Sequence, residues 1–231
     1  MVVRIHYFHF NCSSSSIPWK VCSKEKIIEQ FKDGQIIAIG GQTGRCMPDR
    51  LIDCVLESGA RYLTIYSLDT GWENKGIGKL IHERAVDKVI TSHVGTNPET
   101  NRLIQAGLIK VELIPMGTFA ERIRCGGMGL GGVLTKTGLG TIVEKGKQMI
   151  EVNGQQYLLE TALRADVALT HSRRADPIGN LTFRGSTGRA DHPPGLSSGR
   201  PPPGCTPATW PGKTPYSPYG RGRCRCWPGS R

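Results

Sequence analysis

A glycine-containing segment, residues 40–48, has the residue types that a phosphate-binding or carbonyl-binding turn requires. It reads Gly40-Gly41-Gln42-Thr43-Gly44-Arg45-Cys46-Met47-Pro48 and stands between an apolar run and the start of an amphipathic segment. Glycines let a ligand approach the backbone closely, and N–H groups converge where a strand leads into a helix. Arg45 adds a charge-assisted contact for a phosphate. The pattern favours a binding turn, and a tight β–α turn without a ligand is the open alternative.

Two nucleotide-binding motifs are not found in the sequence. The glycine spacing of residues 40–48 is not G-x-G-x-x-G, which disfavours a dinucleotide site. The motif G-x-x-x-x-G-K-[ST] is absent because Leu80 follows Gly78-Lys79 and Gln148 follows Gly146-Lys147. The sequence therefore excludes a P-loop nucleotide hydrolase.

A second glycine-dense region extends from Met116 to Gly132. So many glycines cost conformational entropy, and the cost is explained if the backbone packs against a ligand or another subunit. A solvated surface loop is the alternative, but Leu130 inside the region argues against it.

Neither the cysteines nor the histidines form a recognisable site. The five cysteines before the C-terminal tail lack C-x-x-C pairing, so no metal site is predicted there. Cys54 is expected in the core, and no histidine lies near Cys46 in the sequence. The histidines His82, His93 and His171 are separate single residues, expected to be hydrogen-bonded structural groups. We find no convincing catalytic group in this chain.

Strand and helix patterns alternate from Ser23 onwards. Continuous apolar runs predict buried strands, and apolar residues at helical spacing predict the helices between them. The predicted strands are 36–39, 62–66, 89–92, 109–114 and 167–169, and the predicted helices are 23–31, 48–58, 78–85, 98–106 and 118–124. Asn153-Gly154 between 149–152 and 156–159 predicts a hairpin. The expected fold is α/β, with an open, mostly parallel sheet and helices on both faces.

Charge and proline are concentrated at the C-terminus. The chain has 231 residues and a net charge of +11, and residues 188–231 hold seven basic residues and one acid. This tail also holds ten of the 15 prolines and is expected to be disordered. We therefore predict a disordered extension at 1–22, a folded domain at 23–187 and a disordered tail at 188–231. The charge of the tail is poor support for nucleic-acid binding, and no apolar run is long enough to span a membrane.

The folded segment resembles a known family. Ile37-Ala38-Ile39-Gly40-Gly41 followed by Pro48 is similar to the first signature of the family I CoA-transferases. The stretches 92–100, 115–118, 120–127, 137–141, 164–169 and 179–182 are similar to its short-chain branch. The resemblance is to the α subunit of acetate/acetoacetate CoA-transferase and covers about Ser23 to Thr187.

This resemblance implies a cytoplasmic enzyme of short-chain fatty acid metabolism that transfers coenzyme A between short-chain carboxylates. It implies that the nucleophilic glutamate lies on a separate β subunit, in an α2β2 heterotetramer, so this chain carries no catalytic residue. Coenzyme A is a substrate, and neither a tightly bound cofactor nor a metal is expected. The residues that correspond to the coenzyme A loop of the family are Gly40, Gly41, Gln42, Thr43, Gly44, Arg45 and Cys46.

Three residues depart from the family pattern. The family usually has Phe at the position of Gln42, Gly at that of Cys46 and Gln at that of Met116. In the family this last glutamine is thought to donate to the oxyanion, and a methionine side chain has no N–H to donate. Either a neighbour such as Gln42 substitutes as the donor, or the activity is low.

The resemblance stops at about Thr187, where the family continues with further strands and a helix. We hypothesise a reading-frame shift near residue 188, which would leave the domain incomplete and expose a sheet edge. Two alternatives to an active subunit therefore stay open. One is a truncated, inactive relic of the subunit, and the other is a non-catalytic domain that senses coenzyme A or a nucleotide.

Overall fold

A computed structural model describes residues 21–172, 174–176 and 180–182. The predicted extension lies almost entirely, and the predicted tail entirely, outside these residues. Both therefore stay predictions, as does the boundary at residue 187.

The described residues form five α-helices, one 3₁₀ turn and ten strands. The helices are α1 (Lys24–Ile28), α2 (Asp49–Glu57), α3 (Ile77–His82), α4 (Pro98–Gln105) and α5 (Met116–Met128), and the 3₁₀ turn is Ile142–Glu144. The strands are β1 (Ile36–Ile39), β2 (Leu63–Tyr66), β3 (Val86–Thr91), β4 (Lys110–Leu113), β5 (Gly132–Thr135), β6 (Met149–Val152), β7 (Gln155–Thr161), β8 (Val167–Leu169), β9 (Arg174–Ala175) and β10 (Leu181–Thr182).

Five parallel strands form the central sheet in the order β4-β3-β2-β1-β8. The chain crosses the sheet in one direction from β1 to β4 and then returns past β1 to add β8. All five carboxyl ends therefore meet at one edge of the sheet. The predicted parallel sheet is confirmed.

Helices cover both faces of this sheet, as predicted. The larger apolar cluster packs α1 to α4 against one face, with Ile37 and Ile39 pointing towards it. The smaller cluster packs Phe119 and Ile123 of α5 against the other face, where Ala38 lies. Successive residues of β1 alternate between the two clusters because side chains of a strand point to opposite faces. Burial on both faces explains the continuous apolar run of β1.

Helix α5 is longer than predicted, because it covers Met116–Met128 where the sequence predicted residues 118–124, and it therefore includes much of the glycine-dense region. Helix α5 continues through Gly126 to Met128 and ends at the left-handed Gly129. A Cβ on Gly126 would lie well inside 3.0 Å of the Leu163 carbonyl oxygen. The glycine is therefore needed for close packing of α5 against the chain that leads into β8.

A second, antiparallel sheet has the order β5-β7-β6. Strands β6 and β7 form the predicted hairpin, in which Asn153 and Gly154 both have positive φ, at 51° and 70°. Two successive left-handed residues are the requirement of a type I′ turn. Strand β5 was not predicted, since its four residues follow the glycine run without a clear alternation.

Buried charges connect the two sheets through α5. Arg122 is 7% exposed, and its side chain donates to the Thr161 carbonyl at 2.6 Å and to Glu112 at 3.1 Å. Glu160, 1% exposed, accepts from Lys147 at 2.5 Å and lies 3.6 Å from Arg122. Removing one member of such a network leaves an uncompensated buried charge. The network therefore fixes α5 and β7 relative to the sheet.

Burial alone would raise the pKa of Glu112, but hydrogen bonds from Lys88 and Arg122 outweigh it and hold the pKa below its usual value. Glu112 on β4 thus stays ionised, joined to β3 through Lys88 at 3.0 Å and to α5 through Arg122. The charge of this carboxylate supports the packing of α5.

Two glycines of α5 give a matched test of the packing. We expect Gly126→Ala to lower the free energy of unfolding by about 1–3 kcal/mol, because the new Cβ meets the fixed Leu163 carbonyl. Gly117→Ala meets nothing within 4 Å, and we expect it to stabilise by about 0.5 kcal/mol through helix propensity. Urea unfolding of both variants measures the two effects. Equal effects would contradict the close approach.

Candidate functional site

The predicted binding turn lies beside the point where the strand order changes direction. Gly40 follows β1 directly, and its N–H donates to the Leu169 carbonyl of β8 at 2.9 Å. Ligands of open α/β sheets bind outside the carboxyl ends of the strands at such a switch point. The fold therefore brings residues 40–47 to the position where this architecture forms its sites.

Residues 42–45 form a tight turn. Gln42 and Arg45 exchange backbone hydrogen bonds of 3.1 and 2.9 Å, and Thr43 and Gly44 between them have φ of 50° and 69°. Gly41 also needs its glycine, because a Cβ there would lie 2.7 Å from the Met47 sulfur. The turn is built by its own sequence, with Thr43 and Arg45 exposed at its tip.

Four backbone donors of this segment already have protein partners. The N–H groups of Gly40, Gln42, Thr43 and Arg45 donate within the protein. Helix α2 begins directly after the segment with Asp49, whose negative charge disfavours an anion at the helix N-terminus. The positive charge that this segment offers to solvent is the exposed Arg45 side chain.

The neighbouring β2–α3 loop holds the turn in place. The Thr43 N–H donates to the Asp69 carboxylate, and the Thr43 carbonyl accepts from the Trp72 indole N–H at 2.9 Å. A Cβ on Gly44 would lie well inside 3.0 Å of the Trp72 ring. The turn and the indole are therefore in close contact.

The β3–α4 loop in turn supports the β2–α3 loop. The Asn97 side chain caps α4 by accepting from Glu99 and Thr100, and its amide donates to the Thr70 carbonyl at 3.2 Å. Thr96 donates to the Gly71 carbonyl at 2.9 Å. Three adjacent loops at the carboxyl edge are thus linked by hydrogen bonds from side chains.

Met116 lies at the same edge of the sheet but far from the turn. It is the first residue of α5, follows β4 and is 47% exposed. Strands β2 and β3 separate β1 from β4, which corresponds to about 14 Å at the usual strand spacing. The separation of the two strands argues against Gln42 as the substitute donor, and that substitution stays a prediction.

Cys54 and His82 take structural positions. Cys54 is fully buried, and burial raises the pKa of its thiol. His82 contacts Glu99 at 3.1 Å. Among residues 21–172, 174–176 and 180–182, no group of three or more His, Cys, Asp or Glu side chains is arranged to hold a metal ion. The helices in the same residues are too short or too polar to cross a membrane.

Known proteins match the part of the chain that holds this fold. The family model for coenzyme A transferase matches residues 22–195. The chain belongs to the coenzyme A transferase family. Over 154 residues it is 52% identical to the acetate CoA-transferase subunit alpha of Escherichia coli K12, covering 67% of this chain and 70% of that protein. It is 49% identical over 168 residues to the acetoacetyl-CoA:acetate/butyrate CoA transferase alpha subunit of Clostridium acetobutylicum, covering 73% of this chain and 77% of that protein.

Solved structures of coenzyme A transferases share the fold. An acyl-CoA transferase from Escherichia coli O157:H7 aligns with a TM-score of 0.65 at 20% identity, over 74% of this chain and 38% of that one. Glutaconate coenzyme A-transferase from Acidaminococcus fermentans aligns with a TM-score of 0.61 at 18% identity, over 70% of this chain and 59% of that one. The chain thus spans less than two thirds of the length of these two structures.

The backbone conformation of residue 46 explains why the family usually has glycine at this position. Cys46 has a φ of 56°, a left-handed conformation that glycine adopts without steric cost. A glycine at this position in the family is therefore expected from the turn geometry alone. Cys46 keeps the same backbone shape at the cost of some strain.

Asp69 and Trp72 were missed from the sequence. A usable signal was present, because Asp69-Thr70-Gly71 comes shortly after a predicted strand at the edge where parallel strands end. The sequence did not show that this loop turns towards residues 42–45, since neighbouring strands are assigned only in the structure.

The contact between Gly44 and the indole gives a second matched test. Gly44→Ala must displace the Trp72 ring, and we expect a loss of about 2–3 kcal/mol in unfolding free energy. Gly34→Ala is the control: its φ of 74° is also left-handed but nothing lies within 4 Å, so about 1 kcal/mol is expected. Chemical denaturation measures both losses, and a Gly44→Ala loss no larger than the control would contradict the contact.

Proposed function

We propose that this chain is the α subunit of an enzyme that moves coenzyme A between a short-chain acyl-CoA or 3-oxoacyl-CoA and a carboxylate such as acetate. The observation that carries the proposal is the identity of about half of the aligned residues to two α subunits named for acetate and acetoacetyl-CoA. Family membership supports coenzyme A as the substrate. The choice of short-chain acids as substrates is part of this proposal.

We propose that residues Gly40 to Cys46 bind coenzyme A. The support is their location at the switch point, together with the exposed cation of Arg45. A second exposed cation, Lys75, lies on the neighbouring turn, where it bonds to Trp72 through the backbone. Phosphates of coenzyme A suit such a rim because arginine and lysine both make charge-assisted contacts to phosphate.

The chemistry requires a partner subunit. The names of the relatives as α subunits support a β subunit, and we propose an α2β2 assembly. A glutamate carboxylate of that partner would attack the acyl-CoA carbonyl, expelling the coenzyme A thiolate and forming an anhydride. The thiolate then attacks the glutamyl carbonyl, which releases the first carboxylate and leaves a glutamyl thioester. The second carboxylate reverses both steps, so covalent catalysis splits the exchange into easier reactions.

Met116 is the position in this chain where an oxyanion donor is expected. Its thioether offers no N–H, although the residue is exposed at the start of α5 and accessible to a bound substrate. We propose that the subunit works with reduced turnover for this reason. The cytoplasmic location stays a prediction.

Reconstitution with a β subunit tests the function. We expect the co-expressed complex to transfer coenzyme A from acetoacetyl-CoA to acetate, and the separate chain to transfer none, because the nucleophile lies on the partner. Thioester absorbance and chromatography of the products measure the transfer. A stable complex that binds coenzyme A without transfer would instead support a sensing role, and a chain that neither folds nor assembles would support an inactive relic.

Restoring the donor tests the role assigned to position 116. We expect Met116→Gln to raise kcat by about 10²–10³-fold, the effect typical of one oxyanion donor. Met128→Gln is the matched control, since Met128 is also an exposed methionine of α5 but lies at its opposite end. Steady-state kinetics of the complex decides the matter: an unchanged or lower kcat for Met116→Gln removes the missing-donor explanation.

A further inference from the structure

Both polar backbone groups of Thr43 are bound by the neighbouring loop. Its N–H donates to the Asp69 Oδ2, and its carbonyl accepts from the Trp72 Nε1 at 2.9 Å. These bonds join the tip of one turn to a loop from the adjacent strand, 26 and 29 residues further along the chain. Nothing in the local sequence of the turn supplies them.

Asp69 is a buried carboxylate that accepts hydrogen bonds from backbone N–H groups. It is 2% exposed, and its Oδ1 accepts from the Gly71 N–H at 2.7 Å while Oδ2 accepts from Thr43. No ion pair in the described part of the chain includes it. A buried carboxylate costs free energy unless hydrogen bonds compensate, so the two N–H groups and the carboxylate depend on one another.

Trp72 binds the carbonyl group of Thr43. Its ring lies against Gly44, which leaves no room for a Cβ, while 49% of the residue is exposed. The indole N–H is already used by Thr43, so the orientation of the ring is fixed. Asp69 and Trp72 thus hold the turn by one bond each, on opposite sides of the residue at its tip.

We propose that Asp69 and Trp72 are positioning residues that hold the turn of residues 42–45 in the shape that receives coenzyme A. The inference rests on the proposed function of that turn. A loop that is already ordered before binding loses less conformational entropy on binding, which increases affinity. The two residues act through the turn and not on the reacting thioester. Their effect is therefore on coenzyme A affinity, with turnover of the bound substrate retained.

The test uses the complex of this chain with its β subunit and free coenzyme A as the probe. We expect Asp69→Asn to raise the Kd for coenzyme A by about 10-fold, because an amide presents an N–H to one backbone donor where the carboxylate accepted it. Trp72→Phe keeps an aromatic ring but removes the five-membered ring beside Gly44 together with the N–H that binds Thr43. We expect a smaller rise in Kd for this variant. For both variants kcat at saturating substrate stays at the wild-type value.

Glu73→Gln is the matched control. Glu73 is an exposed carboxylate of the same loop, pairs with Arg102 at 2.6 Å and has no bond to Thr43 among those the structure describes. The Glu73→Gln substitution removes one negative charge, as Asp69→Asn does, and we expect no change in the Kd for coenzyme A. A similar rise for the control and for Asp69→Asn would reduce the effect to general electrostatics and overturn the proposal.

Hydrogen exchange at the Thr43 amide separates this proposal from the proposed function. We expect slow exchange in the wild-type complex and fast exchange in Asp69→Asn, irrespective of any transfer activity. If the wild-type complex neither binds nor transfers coenzyme A while Thr43 loses protection in the variant, the function is wrong and the contact is real. A wild-type Kd in both variants, or a loss of kcat alone, overturns the positioning role. Trp72→Phe also keeps the test decisive if Asp69→Asn fails to fold.

Discussion

The handedness of the connections between parallel strands determines where this fold places the candidate site. A crossover between parallel strands of one sheet is right-handed in nearly all proteins. The chain builds β1 to β4 in one direction with α2 to α4 on one face, so its return towards β8 runs over the opposite face with α5. Strand order therefore changes direction beside β1, and the turn that follows β1 lies at the resulting switch point.

Adjacent loops at this switch point hold one another in place by hydrogen bonds. Asp69 and Trp72 hold the first turn, and Asn97 and Thr96 hold the loop that carries them. Each support is a polar side chain that binds a backbone group of the loop beside it. Buried polar groups of this kind are stable only when each has its partner. The site is therefore a property of three adjacent loops, and a change in one of them affects the others.

Helix α5 combines a structural role with the functional role proposed for its first residue. Its central Arg122 joins the two sheets through Glu112 and Glu160, and its last turn packs closely against the chain near Leu163. These contacts hold the first residue of the helix, Met116, at the carboxyl edge of the sheet. An ordered loop and an exposed helix start at one edge of the sheet fit the proposal that this chain works together with a β subunit.

The sequence by itself determined the elements that depend on local pattern. Local pattern was sufficient to predict the strand Ile36–Ile39 and the hairpin at Asn153-Gly154, because a strand buried on both faces and a left-handed turn restrict the residue types directly. The family motifs were sufficient to predict the family. Tertiary structure alone decided which loops meet. The pairing of Thr43 with Asp69 and Trp72, the separation of Gln42 from Met116 and the packing of Gly126 depend on strand order and crossover direction. These are contacts between residues distant in sequence, and local pattern does not encode them.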